Sequence, residues 1–227
     1  MPRTARASVG GVCYHVINRG NARAEVFAKG DDYRAFLDMM AEANDRLAMR
    51  ILALCLMPNH FHLALWPAAD GDLSDWMRWL MTTQVARYRR HYRNRGIGHV
   101  WQGRFKAFPI QSNRHLLDVL CYIERNPVRA RLVRRAEDWP WSSAALRRAG
   151  AKLLSRWPVR RPGDWPARLR RPEAEPRLES LRLCVNRSRP YGDDDWVIKT
   201  ASTLGLESSV RPQGRPRKAD PANRKNQ

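Results

Sequence analysis

The chain has 227 residues, with 42 Lys or Arg against 22 Asp or Glu, so its formal net charge is +20. Apolar residues make up 43% of it, which is enough to bury a core and excludes disorder of the whole chain. A charge this positive predicts a polyanionic partner, in the first place nucleic acid. No apolar window of about 20 residues occurs, and no signal-peptide core follows the first residues. We therefore expect a cytoplasmic protein that does not enter a membrane.

The first 125 residues alternate between strand and helix patterns. Strands are predicted over residues 12–17, 51–57, 61–66 and 105–110, with a further short strand at 100–101, and helices over 31–49, 72–93 and 113–125. Pro127 predicts a helix end or a kink at Asn126. The order strand, helix, strand, strand, helix, strand predicts an α+β fold, with an antiparallel sheet and helices packed on one face.

The composition changes after about residue 150. Residues 147–171 hold nine Lys or Arg and one acid, and the prolines there argue against long regular elements. A last helix is predicted over 193–204, and the polar, Pro-rich residues from 208 onward are expected to be disordered when free. We therefore divide the chain into a folded domain (residues 1–148), a basic extension of uncertain structure (149–206) and a basic tail (207–227).

The sharpest local motif is Met57-Pro58-Asn59-His60-Phe61-His62. Residues two apart on a strand point to the same face, so His60 and His62 aim their imidazoles together. Two imidazoles placed in this way can share one divalent ion. The alternatives are two histidines on a solvated strand face, or one hydrogen-bonded in a core.

The third predicted helix supplies the candidates that would complete such a site. Tyr122 and Asn126 are four residues apart, so they share one helix face. If that face packs over the histidines, Asn126 supplies an oxygen ligand and Tyr122 a phenol beside the ion. A tyrosine with a pKa of roughly 10 attacks a phosphate only when a cation polarises the ester. The alternative is a Tyr122 ring on the core with its hydroxyl in water.

The stretch from Trp76 to Leu117 contains nine Lys or Arg, no acid and several interleaved aromatic residues. Basic side chains neutralise phosphates and aromatic rings stack on unpaired bases, a combination that favours single-stranded DNA or RNA. The predicted DNA contacts of the folded domain are Arg19, Arg78, Arg87, Arg89, Arg90, Arg93, Trp101, Arg104, Phe105 and Lys106.

The tail carries a Gly-Arg-Pro core flanked by basic residues, at positions 211–218. An extended segment of this kind can enter a narrow A·T-rich minor groove, and it resembles an AT-hook. Its predicted DNA contacts are Arg215, Arg217 and Lys218. The alternative is a basic tail that only increases solubility.

Three motifs taken together resemble the REP-associated tyrosine transposases, a branch of the single-tyrosine HUH transposases. They are Met57–His62, Trp101–Lys106 and Tyr122–Ala130, and residues 14–21 and 139–143 fit the same pattern. The resemblance covers roughly residues 8–148. It implies a sheet with ferredoxin-like βαββαβ topology, and an active site where the sheet meets the tyrosine helix.

The resemblance also implies a reaction. His60, His62 and Asn126 would bind Mg²⁺ or Mn²⁺, with modest affinity because the Asn amide is a neutral single-oxygen donor. Tyr122 would attack a single-stranded DNA phosphate, forming a 5′-phosphotyrosine link and a free 3′-hydroxyl that can attack another end without a nucleotide cofactor. The implied partner is hairpin DNA of a repetitive extragenic palindrome. We expect a nucleoid-associated bacterial protein that is a monomer rather than a dimer.

Two rival interpretations differ in their chemistry. One is a protein that keeps the fold and binds DNA hairpins without cleaving them. The other is a metallohydrolase that uses His60 and His62 with an activated water. That class normally supplies further His or Asp ligands shortly after the histidine pair, and residues 63–67 contain none.

Overall fold

The structure, a computed structural model, describes residues 8–93 and 98–211. Four strands form one antiparallel sheet in the order β2-β3-β1-β4: β1 (Cys13–Arg19), β2 (Arg50–Met57), β3 (His60–Trp66) and β4 (Lys106–Ile110). Helix α1 (Gly30–Arg46) lies between β1 and β2 in the chain, and α2 (Asp72–His91) lies between β3 and β4. The predicted α+β class with an antiparallel sheet is confirmed.

Seven helices follow β4 in the described part of the chain: α3 (Arg114–Glu124), α4 (Asn126–Arg129), α5 (Ser143–Arg148), α6 (Trp165–Arg170), α7 (Glu175–Arg187), α8 (Asp194–Thr203) and α9 (Glu207–Val210). The predicted helix over 193–204 is confirmed as α8. Helices α5 and α9 were not predicted, and α9 lies at the start of the tail that was expected to be disordered, so that expectation is wrong for residues 208–210. Helices α6 and α7 were not predicted either. Each of these two has a proline in its first turn, where the ring removes no helical hydrogen bond. None of the described helices is long and apolar enough to cross a membrane.

Two predicted elements are shorter than expected. Helix α1 ends at Arg46, because Leu47 adopts an extended conformation (φ −147°, ψ 109°) on the way to β2. The strand predicted at 100–101 is a single bridge between Gly20 and Trp101. Asn126 does follow a break, since α3 stops at Glu124 and the one-turn α4 begins at Asn126.

Apolar side chains cover both faces of the sheet. On one face, Val16 and Phe61 belong to the cluster formed with α1 and α2. On the other, Cys55 and Ala64 belong to the cluster formed with α3, α6 and α7. The expectation of helices on one face is therefore wrong. Successive residues of β1, β2 and β3 are buried on alternate sides, so each face needs its own cover.

Segments of the C-terminal half of the protein cover both edge strands of the sheet. At β2, the Leu56 N–H donates to the Trp141 carbonyl at 2.9 Å. At β4, the Tyr191 N–H donates to the Pro109 carbonyl at 2.9 Å, and the Gln111 N–H donates to the Tyr191 carbonyl at 3.0 Å. Unpaired edges are templates for association, and these contacts remove part of both. The extension contains helices α6, α7 and α8, with irregular segments such as 149–164 between and before them, and residues of α6 and α7 pack on the sheet.

The packing of α7 generates a stability prediction with an internal control. Leu181 is 0% exposed in the α3–α7 cluster, whereas Leu183, two residues further on, is 38% exposed. Leu181→Ala is expected to lower the free energy of unfolding by about 2–5 kcal/mol, because it leaves a cavity. Leu183→Ala should change it by about 0.5 kcal/mol or less. Urea unfolding followed by circular dichroism measures both; equal effects would show that α7 is not part of the core.

Candidate active site

The turn before the histidine pair is fixed by backbone hydrogen bonds. The Pro58 carbonyl accepts from the Val26 N–H at 2.8 Å, and the Asn59 carbonyl accepts from the Gly20 N–H at 2.7 Å. A Cβ at Gly20 would lie 2.2 Å from the Ala24 carbonyl oxygen, so only glycine fits there. These hydrogen bonds therefore fix the turn from which β3 begins, and with it the position of His60 at the start of that strand.

The alternation of β3 directs the two histidines to the α3 side of the sheet. Phe61 points the other way, where it is fully buried in the cluster with α1 and α2. The rings of His60 and His62 have centroids 5.0 Å apart. The prediction that His60 and His62 share a face is confirmed.

His60 is held by its neighbour Asn59. The Asn59 Nδ2 donates to the Arg23 carbonyl at 3.1 Å, which turns its Oδ1 toward His60 Nδ1 at 2.7 Å. His60 therefore donates from Nδ1 and keeps the lone pair on Nε2. Burial, with Arg19 and Arg129 adding to it, lowers the pKa of His60 to about 4, so the imidazole is neutral at pH 7.

A third histidine, His15 on β1, belongs to the site and was missed by sequence reasoning. Its Nε2 lies 2.9 Å from His62 Nδ1, and the two rings stack with centroids 5.0 Å apart. His15 pairs with Ala64 across β1 and β3, so it is a diagonal neighbour of His62 on the same face. A histidine within an apolar strand was the available signal, but the strand pairing could not be read from the sequence.

The contact with His15 decides which nitrogen of His62 is available. Burial lowers the pKa of His15 to about 3 and that of His62 well below its ordinary value, so one proton is shared between the facing nitrogens. When His62 donates from Nδ1, its Nε2 is free to bind a ligand and the proton of His15 sits on Nδ1. That His15 Nδ1 is buried, with no hydrogen-bond partner in the part of the chain that the structure describes.

The histidine pair fits a divalent ion. Metal-binding histidines donate their other ring N–H to a neighbouring acceptor, and Asn59 and His15 occupy these positions for His60 and His62. Within residues 8–93 and 98–211, no three His, Cys, Asp or Glu side chains form a group that could hold a metal ion. A third protein ligand would therefore have to be another donor, such as an amide oxygen.

Helix α3 lies over the same face and brings Tyr122 to the histidines. The Asn113 side chain caps its start by accepting from the His115 N–H at 2.8 Å. The Tyr122 ring is 9% exposed and meets the His62 ring edge-on, with centroids 5.7 Å apart. Burial raises the pKa of Tyr122, and Arg129 acts in the opposite direction. The predicted juxtaposition of Tyr122 with His62 is therefore present.

Asn126 is buried beside Tyr122, and both ends of its amide have hydrogen-bond partners. Its Nδ2 donates to the carbonyls of Tyr122 at 3.1 Å and Ile123 at 3.2 Å. Its Oδ1 accepts from Arg129 Nη2 at 2.8 Å. A carbonyl oxygen has two lone pairs, so one remains for another partner.

Arg129 is a second residue that sequence reasoning missed. Its guanidinium lies 4.0 Å from the centre of the Tyr122 ring, within cation–π range. Its spacing of three residues from Asn126 was visible in the sequence, but the helix break at Asn126 obscured the shared face.

A basic groove runs beside the histidines. Arg19, Arg104 and Lys106 line it, and Val185 and Asn186 of α7 form part of its wall, enclosing about 360 Å³. Arg19 pairs with His60 across β1 and β3, which places the groove next to the ring pair. The groove thus contains three of the predicted DNA contacts.

The predicted contacts on and after α2 lie at the surface, but several already have protein partners. Arg78 pairs with Asp75 at 3.1 Å, and Arg87 pairs with Glu42 at 2.6 Å. Arg89 donates to the Gly98 carbonyl at 2.9 Å. The last two of these predicted contacts, Arg90 and Arg93, are exposed. The acid-free stretch from Trp76 to Leu117 did not reveal Asp75, which directly precedes it on α2, or Glu42, which comes from α1.

Two predicted DNA contacts belong to the core instead. Trp101 and Phe105 are 5% and 6% exposed in the cluster with α1 and α2, and Trp101 Nε1 donates to Gln84 Oε1 at 2.8 Å. Rings this deeply buried have little surface to offer to a base, so the structure does not support their assignment as stacking residues. The other three predicted contacts, in the tail, lie outside the described residues: Arg215, Arg217 and Lys218.

The family model described as "Transposase IS200 like" matches residues 8–126, more than half of the chain. The protein therefore belongs to the IS200-like transposase family. The match includes the histidine pair, Tyr122 and Asn126. It ends before Arg129 and the extension.

Two curated relatives share the resemblance noted from the motifs. The REP-associated tyrosine transposase of Escherichia coli K12 is 25% identical over 134 residues, which cover 59% of this chain and 76% of that protein. A Haemophilus influenzae protein named for the same group is 33% identical over 103 residues, covering 40% of this chain and 57% of that relative's length. The resemblance to the REP-associated tyrosine transposases is confirmed.

A solved structure shares the fold. A REP-associated tyrosine transposase bound to a REP hairpin aligns with a TM-score of 0.53, at 22% identity, over 71% of this chain and 93% of that one. At this identity the likeness concerns the fold alone.

The buried imidazoles predict acid sensitivity. Because burial keeps the pKa of His15 and His60 at about 3 and about 4, the unfolded chain binds more protons than the folded one below pH 6.5. Stability should therefore rise with pH between about 4 and 6.5 and be lost as the pH falls through this window. The loss should reach up to about 1.4 kcal/mol per pH unit for His15.

Urea unfolding at several pH values in buffer without divalent ions measures this dependence. His15→Gln should give a shallower slope than the wild type, whatever its absolute stability. His99→Gln, which changes an exposed imidazole, serves as the matched control. Identical slopes for the wild type and His15→Gln would contradict the burial argument.

Proposed function

We propose that the protein is a metal-dependent transesterase that cleaves and rejoins single-stranded DNA beside REP-type hairpins through a 5′-phosphotyrosine intermediate. The observation that carries this proposal is the packing of the Tyr122 ring 5.7 Å from the ring of His62, on the face that also presents His60. The Tyr122 ring and two neutral imidazoles are thereby brought together by two different elements of the fold.

The proposed ligands of Mg²⁺ or Mn²⁺ are Nε2 of His60, Nε2 of His62 and Oδ1 of Asn126. Both imidazoles are neutral and are held from their other nitrogen, which suits them to this role. The ion would polarise the phosphate and neutralise the charge that develops on its oxygens.

Tyr122 is the proposed nucleophile. Its phenolic oxygen forms a bond to phosphorus while the bond to the 3′ oxygen breaks; the phenol gives up its proton and the leaving oxygen becomes a hydroxyl. Burial raises the pKa of Tyr122, so the phenol is protonated before reaction, and Arg129 beside the ring favours the phenolate as it forms. A 3′-hydroxyl of another strand reverses the step and releases the tyrosine, so no nucleotide cofactor is required.

The basic groove is the proposed path of the DNA strand. Arg19, Arg104 and Lys106 can neutralise successive phosphates next to the histidines. The family resemblance supports the proposed hairpin substrate, since both curated relatives are named REP-associated and a solved protein of that name is bound to a REP hairpin. Tyr122 and all proposed ligands come from one chain, which supports a monomer, and a DNA partner supports residence at the bacterial nucleoid.

One observation favours a second candidate function, the binding of hairpins without cleavage. The oxygen of Asn126 already accepts a hydrogen bond from Arg129. If that contact excluded a metal ion, the fold and the basic groove would still bind DNA. The two functions predict different products from the same incubation.

Tyr122→Phe is expected to abolish the covalent adduct and to leave hairpin affinity within about twofold, since only the attacking oxygen is removed. A labelled hairpin with a single-stranded flank, incubated with Mn²⁺ and run on a denaturing gel, reports the adduct. Tyr33→Phe, on the opposite side of the sheet, is the matched control and should form it normally.

Other outcomes of that incubation are equally informative. A wild type that binds the hairpin but forms no adduct in Mn²⁺ or Mg²⁺ would support the binding protein. Cleavage that leaves a free 5′-phosphate would support the metallohydrolase. Adduct formation by Tyr122→Phe would mean that another residue is the nucleophile.

The groove predicts a salt-dependent contribution to binding. Arg19→Gln and Lys106→Gln should each weaken hairpin binding and reduce the slope of log affinity against log salt by about 1 for each lost phosphate contact. Fluorescence anisotropy at several salt concentrations measures the slope. Arg34→Gln removes an exposed arginine of α1 that pairs with Asp31, and it should leave the slope unchanged.

A further inference from the structure

The extension (residues 149–206) contacts the C-terminal end of α3, the helix that carries Tyr122, through the side chain of Arg125. This side chain is 6% exposed, and its Nε donates to Glu173 Oε2 at 3.0 Å. Its Nη1 donates to the Leu169 carbonyl at 2.8 Å and to the Arg171 carbonyl. A guanidinium removed from water requires such partners, and all three come from the stretch around the end of α6 and the start of α7.

Glu173 connects Arg125 to the site. Its side chain is 5% exposed, and its two oxygens also accept from Arg129 Nη1 at 3.0 and 3.1 Å. The other terminal nitrogen of Arg129 donates to Asn126 Oδ1 at 2.8 Å and to the Tyr122 carbonyl at 3.0 Å. One carboxylate of the extension thus fixes the guanidinium that contacts both Tyr122 and Asn126.

This network leaves the Asn126 amide a single orientation. With Nδ2 toward the carbonyls of Tyr122 and Ile123 and Oδ1 toward Arg129, every contact joins a donor to an acceptor. A flipped amide would set two donors against each other at Arg129 and an oxygen against two carbonyls. Arg129 therefore determines where the amide oxygen lies.

We infer that Glu173 is a positioning residue of the active site: it holds Arg129 where that side chain orients the oxygen of Asn126 and covers the ring of Tyr122. The inference rests on the proposed function, because it concerns the third ligand of the proposed ion. It gives the extension a role in the reaction itself. Glu173 lies outside the part of the chain that the family model matches, residues 8–126.

The negative charge of Glu173, like its hydrogen bonds to Arg129, is expected to favour binding of the metal ion. Its carboxylate is the shared partner of two guanidinium groups, Arg125 and Arg129. Without it, the uncompensated positive charge of Arg129 would lie against Asn126, a proposed ligand of the divalent cation, and would repel that cation. Loss of orientation and loss of neutralisation therefore both weaken metal binding.

Glu173→Gln tests the inference because it keeps the shape of the side chain and removes its charge. Binding of Mn²⁺ to the full chain without DNA, followed by the electron paramagnetic resonance signal of free Mn²⁺, should weaken by about 10- to 100-fold. Hairpin affinity in EDTA should stay within about twofold, since the groove is untouched. The control is Glu179→Gln, an exposed acid on α7, which should match the wild type.

A double-mutant cycle separates positioning from general support of the fold. Arg129→Met should weaken Mn²⁺ binding to a similar degree, and adding Glu173→Gln to it should cost less than about threefold more, if Glu173 acts through Arg129. Independent losses that multiply would overturn the inference. Should Glu173→Gln fail to fold, Arg129→Lys carries the test. A lysine cannot bridge Glu173 and Asn126 as the planar guanidinium does, so Mn²⁺ binding should again weaken.

The outcomes for the two proposals are distinguishable. A wild type that binds Mn²⁺ and forms the tyrosine adduct, with Glu173→Gln binding Mn²⁺ equally well, overturns the inference and leaves the proposed function standing. A wild type that neither binds Mn²⁺ nor forms the adduct overturns both. Weakened Mn²⁺ binding with slowed adduct formation in Glu173→Gln supports both.

Discussion

The packing of α3 on one face of the sheet is the interaction on which the rest of the site depends. Because side chains alternate along β3, the imidazoles of His60 and His62 lie on that face. The apolar side of α3 packs on the same face and places the Tyr122 ring against the ring of His62. Neither element forms the proposed site by itself: the strand carries the two proposed ligands, and the helix carries the proposed nucleophile. Their contact also removes water, which keeps His60 and His62 neutral.

Much of this arrangement was predictable because it follows from local periods. A spacing of two on a strand and of four on a helix placed His60 with His62 and Tyr122 with Asn126, and the alternation of patterns gave the class of fold. The motifs then pointed to the right family. Predictions of this kind succeed where the residues concerned lie on one strand or one helix, because the period of that element alone fixes which side chains share a face.

The remainder depended on pairings between distant segments. His15 joins His62 only through the register of β1 on β3, and Glu173 reaches Arg129 across 44 residues with no local signal. The same limit explains Trp101 and Phe105, because alternating basic and aromatic residues look alike whether the rings face solvent or core. The proline in the first turn of α7 was likewise interpreted as a sign of irregular structure, although proline is common at the start of a helix.

The covering of both sheet edges bears on what counts as the minimal unit of this protein. Segments around Trp141 and Tyr191 supply backbone hydrogen bonds to the outer edges of β2 and β4, yet both lie beyond the region that the family model matches. A fragment trimmed to residues 8–126 would keep α3 but would expose both edge strands and the apolar surface that α6 and α7 cover, which favours association of copies over independent folding. The part of this chain that the family model matches is thus smaller than the unit that closes its own sheet edges and core.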